Sequence, residues 1–262
     1  MAGTVDVAAG EAADRAEPAS RRDRVRAATV QEIKQTARRF LVEQGPEAIT
    51  LRAIAREMGM TAPALYRYFN SRDELLKHVI GDIYLEIAAD VQAAIDAAAP
   101  GDLAARLIAS ARAFRIWSLS HQCEFGLVFA TPPPAVDLEN LDYTEECGLK
   151  FCGVFLALYL ELWQRQPFRV PADADIDPGL RAQLDRFRAA VGADLPAGAV
   201  LSYLYSWVRL YGMVSMEVYG QLSWVLDDAE PIFEMMLKEI LPVLGLQYRP
   251  PPGSSGPPAV YP

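Results

Sequence analysis

Along the chain, apolar side chains recur at three- and four-residue steps, and no stretch sustains the alternation of a half-buried strand. That periodicity predicts helices. From about Arg24 to Glu43, Val30, Ile33, Ala37, Phe40 and Leu41 share one face, and Gly45-Pro46 ends the element. Thr50 caps a short helix with Leu51, Ile54, Ala55 and Met58 on one side, and Gly59 stops it. Thr61 caps the next helix, with Pro63 early enough in the first turn to cost no hydrogen bond. Ser71-x-x-Glu74 is a capping box that opens a long helix running to about Ala98, before Pro100-Gly101. Further helices are predicted over 102–119, 122–130 (closed by Pro132-Pro133-Pro134), 140–165, 179–190, 197–220 and 228–244. In 140–165 the buried side should carry Tyr143, Cys147, Phe151, Val154, Phe155, Leu158 and Leu162. The expected fold class is all-α: an N-terminal three-helix unit over 21–79 (the head) and a larger helical unit over 80–248 (the body). Residues 1–20 and the Pro-rich 249–262 are expected to be disordered tails.

Composition narrows the function. With 52% hydrophobic residues the chain can build a packed core. The longest apolar stretch, Phe151 to Leu160, is about half of what a membrane span needs. The first twenty residues hold Asp6, Glu11, Asp14 and Glu17 against Arg15, unlike a secretory signal, so the expected compartment is the cytoplasm. The net charge of −9 disfavours a nucleic-acid partner until its distribution is read. Residues 21–78 hold twelve Lys/Arg against seven acids, a net of +5, whereas 79–262 carry −11. A basic head on an acidic body confines any nucleic-acid surface to the head. Cys123, Cys147 and Cys152 are too few for a disulfide framework and read as small packing residues or, alternatively, a redox-sensing thiol.

Segment 48–79 reads as a helix-turn-helix, in which Ile54, Ala55, Leu65 and Phe69 interdigitate where the two short helices cross. The outer face of the second helix would carry Thr61, Ala62, Ala64, Tyr66 and Arg67, a nearly uncharged surface suited to base edges. Phosphate contacts would fall to Thr50, Arg52, Tyr66, Arg72 and Lys77. Periodicity alone leaves open an ordinary helical hairpin whose basic residues are solvated.

The stretch Thr50–Leu76, TLRAIAREMGMTAPALYRYFNSRDELL, resembles the DNA-binding domain of the TetR family of transcriptional regulators. The shared pattern is a Thr-apolar-Arg-x-Ile-Ala start, a Gly turn, a Leu-Tyr-x-[His/Tyr]-Phe recognition helix and a Ser-[Lys/Arg]-x-x-Leu opening, with Arg72 where the family usually has Lys. The resemblance covers residues 24–79. It implies that Thr50, Arg52, Tyr66 and Arg72 touch phosphate, that Thr61, Ala62 and Ala64 approach bases, and that Tyr68 and Phe69 are packing residues. It also implies partners: double-stranded operator DNA, a small-molecule effector that usually releases the DNA, and a second copy of the chain.

In that family the last two long helices pair across the two-fold axis. The corresponding interface candidates are Leu201, Leu204, Tyr205 and Val208 on one helix and Phe233, Met236, Leu237, Ile240 and Leu244 on the other, the alternative being monomer core. An effector pocket would lie among Phe114, Trp117, His121, Phe125, Phe151, Phe155, Tyr159, Trp163, Trp207 and Tyr211, whose aromatic excess fits a largely apolar or aromatic ligand. The far end of the helix opening at Ser71 is expected to border that pocket beneath Trp117 and Phe155. No cofactor or metal is expected. Asp173-Ala-Asp175-Ile-Asp177 begins like a calcium loop, but Pro178 and Leu184 stand where Gly and Glu are needed. The two histidines are 43 residues apart and no phosphate loop, dinucleotide fingerprint or nucleophile elbow occurs. An all-helical enzyme and a helical adaptor with a Pro-rich docking tail are the rival readings.

Overall fold

The structure is a computed structural model that describes residues 20–130 and 140–250. The expectations for the terminal tails and for Pro132-Pro133-Pro134 lie outside the described residues, apart from Ser20, Arg249 and Pro250. Among the described residues the chain forms ten α-helices and two short 3₁₀ turns, and no strand. The helices are α1 (Arg21–Gln44), α2 (Leu51–Glu57), α3 (Ala62–Leu65), α4 (Arg72–Ala97), α5 (Leu103–Ser120), α6 (Gln122–Phe129), α7 (Tyr143–Arg165), α8 (Pro178–Ala190), α9 (Ala197–Val218) and α10 (Glu230–Val243). The all-α expectation holds, with most ends within about three residues of those read from caps and breakers.

Local chemistry explains the boundaries. The Ser20, Thr50, Thr61 and Ser71 hydroxyls accept from the backbone N–H groups of Asp23, Ala53, Ala64 and Glu74, capping α1 to α4. The capping box at Ser71 is modified: the Glu74 carboxylate accepts from the N–H of Asn70, one residue before the cap. α2 ends in a Schellman turn, with the Met60 N–H on the Ala55 carbonyl at 2.8 Å and Gly59 at φ 65°. That positive φ is why glycine stands there. α3 is only one turn long, and the chain from Tyr66 to Phe69 continues in hydrogen-bonded turns instead of a regular helix.

The head packs α1, α2 and α3 around Ile33, Ala37, Phe40, Ile54, Leu65 and Phe69, all buried. This cluster runs without a break along α4 into the body, where α4 lies between α5 and α7. Gly81 lets α7 come close, since a Cβ there would stand 2.5 Å from Tyr143 Cε1. A smaller cluster around Leu184, Leu195 and Val200 seats α8 on α9.

Ion pairs join the elements at their rims. Arg38 of α1 donates to both Glu86 oxygens on α4, and its Nε reaches the buried Glu124 of α6 at 3.1 Å. The Trp117 indole N–H donates to the same Glu86 at 3.1 Å. One turn earlier, the buried Lys34 pairs with Asp82 at 2.5 Å, and the Tyr143 hydroxyl donates to Asp82 at 2.8 Å. Arg112–Glu234 and Arg115–Glu217 tie α5 to α10 and α9.

Replacing Arg38 by Leu strands Glu124, whose side chain is 7% exposed. The expected loss is about 3 kcal/mol of stability, read as a lower thermal midpoint at neutral pH. The hydrogen bonds from Arg38 also hold the Glu86 carboxyl below its ordinary range. That contribution is present at neutral pH and is lost as the pH falls through the lowered value. The Leu variant should therefore show a flatter fall in midpoint on acidification than the wild type.

Candidate DNA-binding surface and effector cavity

The helix-turn-helix places the expected DNA-facing residues unequally. Thr61, Tyr66 and Arg67 are exposed, and Ala62 and Ala64 are half-buried. Pro63 is also exposed on α3, although its ring marked only a helix start in the sequence. Thr50 and Arg52 are exposed at the start of α2. Thr61 has a second duty as the cap of α3, accepting from Ala64 N–H at 3.4 Å. Tyr68 is half-buried beneath the Arg26 guanidinium, 5.2 Å from its ring centroid, and Phe69 is buried.

Two of the expected phosphate contacts have partners inside the protein. Arg72 Nε donates to the Ile49 carbonyl at 2.7 Å and its Nη2 to Pro46 at 2.8 Å, pinning the start of α4 to the loop before α2. Lys77 pairs with Asp142, the N-cap of α7, at 2.7 Å. Their basic character was visible in the sequence. Their partners, 23 to 65 residues away, were not.

In the body, four helices line an apolar cavity that is partly open to solvent. α5 contributes Leu107, Ile108 and Ala111; α7 contributes Phe155 and Tyr159. α9 contributes Tyr203, Ser206, Trp207 and Leu210, and α10 contributes Met236, Leu237, Ile240 and Leu241. No charged side chain lines it. The Tyr159 hydroxyl lies 3.2 Å from Ser206 Oγ, which donates to the Ser202 carbonyl at 2.9 Å. Burial pushes the Tyr159 phenol well above its ordinary range, so this pair presents neutral hydroxyls.

Of the ten expected pocket residues, only Phe155, Tyr159 and Trp207 line this cavity. Phe114, Phe125 and Phe151 are fully buried in a solid aromatic cluster. Trp117 stacks on His121 at 4.7 Å, and His121 ends α5 with its Nδ1 at 3.0 Å from the Trp117 carbonyl oxygen. Trp163 packs edge-on to Phe168 in another cluster, and Tyr211 donates to the Phe129 carbonyl at 3.0 Å. No α4 residue lines the cavity, so the long helix does not border it as expected. Helical spacing marks an aromatic face without showing whether neighbouring rings fill the space before it.

The interface expectation needs a similar correction. Leu204, Tyr205 and Val208 are exposed on α9. Leu201, Phe233, Leu237, Ile240 and Leu244 are buried in the protomer's own core, with Met236 half-buried beside them. α10 is apolar on two sides. Its outer side carries Ile232, Met235 and Val243, which are 41%, 57% and 57% exposed. α9 extends its outer face through Met216 and Tyr219. Of the cysteines, Cys147 is buried, as a packing residue would be, and Cys123 and Cys152 are exposed.

Residues 27–79 match the family model described as bacterial regulatory proteins, tetR family, and residues 107–240 match that of the tetracyclin repressor-like C-terminal domain. The chain belongs to the TetR family. Among its relatives are the HTH-type transcriptional regulators Mb1846 of Mycobacterium bovis and Rv1816 of Mycobacterium tuberculosis. Each is 29% identical over 213 residues, 81% of this chain and 90% of theirs. The crystal structure of the regulatory protein SCO4313 superposes with a TM-score of 0.66 at 32% identity, covering 85% of this chain and 100% of that one. A protein with unknown function from Rhodococcus sp. RHA1 shares the fold, with a TM-score of 0.60 at 18% identity over 90% of this chain and 100% of its own. This TetR-family protein is a DNA-binding transcriptional regulator, and the enzyme and adaptor readings fall with that assignment. No helix among the described residues is long and apolar enough to cross a membrane.

In this regulator Arg72→Ala removes a part-buried, charge-assisted hydrogen bond worth about 1.5–3 kcal/mol and should lower the thermal midpoint. Arg67→Ala, at an exposed side chain, should leave the midpoint unchanged. Thermal melting of the two variants side by side checks the difference.

Proposed function

We propose that this regulator binds a palindromic operator in the cytoplasm as a homodimer and that a small, uncharged, largely apolar or aromatic effector releases it. The head, residues 21–79, reads DNA; the body, residues 80–248, senses and dimerises. Thr61, Ala62, Ala64 and Arg67 approach base edges, while Thr50, Arg52 and Tyr66 hold phosphate. Arg72 and Lys77 add positive charge to that edge and also fix the helices that carry it.

The observation that carries the effector reading is the shared use of two helices. α5 and α7 wall the cavity, and the same two helices clasp α4. Phe151 of α7 stacks on Tyr84 of α4 at 5.7 Å, and Trp117 of α5 holds Glu86 of α4. An effector that spreads α5 from α7 therefore tilts α4 and, through Glu86–Arg38 and Asp82–Lys34, the head. DNA fixes the spacing of two recognition elements in a dimer, so a small tilt disfavours the complex. A coupling of about 1–3 kcal/mol changes operator affinity by roughly 5–150-fold.

Two experiments test this reading. A sequence preferred by the full chain is selected from random duplexes, and its affinity is measured while uncharged aromatic compounds are titrated in. A compound that binds should weaken the operator complex by a factor in that range, and Ala111→Phe, which fills the cavity, should blunt the effect while sparing DNA affinity. Binding that leaves operator affinity unchanged overturns the sensor assignment. For assembly, Val208→Asp at a 56% exposed site should split the dimer without unfolding the chain, whereas Leu237→Asp at a buried site should unfold it. Sedimentation together with circular dichroism separates the two, and a wild-type monomer at micromolar concentration overturns the dimer.

A further inference from the structure

The family match begins at residue 27, but α1 begins at Arg21. The six residues between, RRDRVR, hold four arginines and one acid. Asp23 is turned back on the cap: Ser20 Oγ donates to its carboxylate at 2.6 Å. Arg21, Arg22, Arg24 and Arg26 are all exposed. Among the described residues the side chains of Arg21 and Arg22 make no hydrogen bond or ion pair.

Arg26 fixes where this segment lies. Its Nη2 donates to the Arg67 carbonyl at 3.3 Å, and its guanidinium covers the Tyr68 ring. The start of α1 therefore stands beside the end of the recognition element. Arg22 is four residues earlier, on the same side of the helix as Arg26 and about 6 Å further along the axis. The side of α1 that packs into the head core through Ile33, Ala37 and Phe40 runs on, past the end of that core, into Arg26 and Arg22.

We propose that the first two turns of α1 form a second DNA contact, in which Arg21 and Arg22 hold backbone phosphates outside the base pairs read by α3. This rests on the DNA-binding reading above and extends it to a surface beyond the family-matched segment. The arginine fork suits two phosphate oxygens at once, and these contacts carry no sequence information. The effect should appear in affinity and salt dependence and leave the preferred sequence unchanged.

The test uses the full chain and its Arg21→Ala/Arg22→Ala double variant. Alanine keeps the helix and both side chains are exposed, so the thermal midpoint should not move. Binding by fluorescence anisotropy is compared on the selected operator with long flanks and on the same operator trimmed at both outer ends. On the flanked duplex the variant should bind on the order of tenfold more weakly. Its log–log salt slope should be shallower by about 2 per bound head, at about 0.9 per phosphate contact. The ranking of operator sequences should be unchanged. Trimming should weaken the wild type and leave the variant nearly unaffected. Equal salt slopes, or an equal loss on trimming, overturn the proposal while leaving the helix-turn-helix reading intact. A wild-type chain that prefers no duplex at all overturns both.

Discussion

Leu75, Val79, Ile83, Ile87, Val91 and Ile95 recur every four residues along α4, and none is more than 2% exposed. Four residues advance an α-helix by about 400°, so each step moves the apolar stripe about 40° around the axis. Over the 26 residues of α4 the stripe winds roughly half-way round. At the N-terminal end it faces the head; further on it faces α5 and α7. One helix thereby belongs to two cores, and neither can move without it. The continuity of the buried cluster from Ile33 to Leu241 is the consequence.

A shared helix has to be oriented as well as buried, and apolar contact alone is not directional. The polar groups on α4 supply direction. Asp82 and Glu86, one turn apart, receive Lys34 and Arg38 of α1 on one side and Tyr143 and Trp117 of the body on the other. Each carboxylate touches one donor from the head and one from the body, so a shift of α5 or α7 acts on the same oxygens that hold α1. Lys34 and Glu124 are themselves buried, so removing Asp82 or Arg38 would leave a buried charge unpaired, at a cost of several kcal/mol.

The cavity is walled by α5, α7, α9 and α10, and no residue of α4 lines it. Its walls are nearly all hydrocarbon and ring, and its polar groups are the hydroxyls of Ser110, Tyr159, Tyr203 and Ser206. A charged ligand would leave water without a counter-ion among the lining side chains, which is costly. An uncharged ligand with a single polar group meets no such penalty. The closely packed cluster of Phe114, Phe125 and Phe151 adjoins this space through the rings of Phe155 and Trp207.

The helix-turn-helix was legible in the sequence because it is made by local chemistry. The hydroxyl caps at Thr50, Thr61 and Ser71 and the positive φ at Gly59 act within a few residues of themselves, as does the apolar spacing of Ile54, Ala55 and Leu65. The helical body and the long α4 followed from the same signals. The sequence could not tell which of two apolar sides of α10 faces inward, because Ile232 and Phe233 are adjacent and similar in hydropathy, and only the position of α9 and α5 separates them. Nor could it separate Phe155, which lines empty space, from Phe151 one turn away, which is enclosed by rings. Arg72 and Lys77 read as free cations until the fold brought Ile49, Pro46 and Asp142 to them. Caps and periodicity are properties of neighbours in the chain and are written in its order. Cavities, outer faces and ion-pair partners are properties of neighbours in space, and only the packing of distant helices decides them.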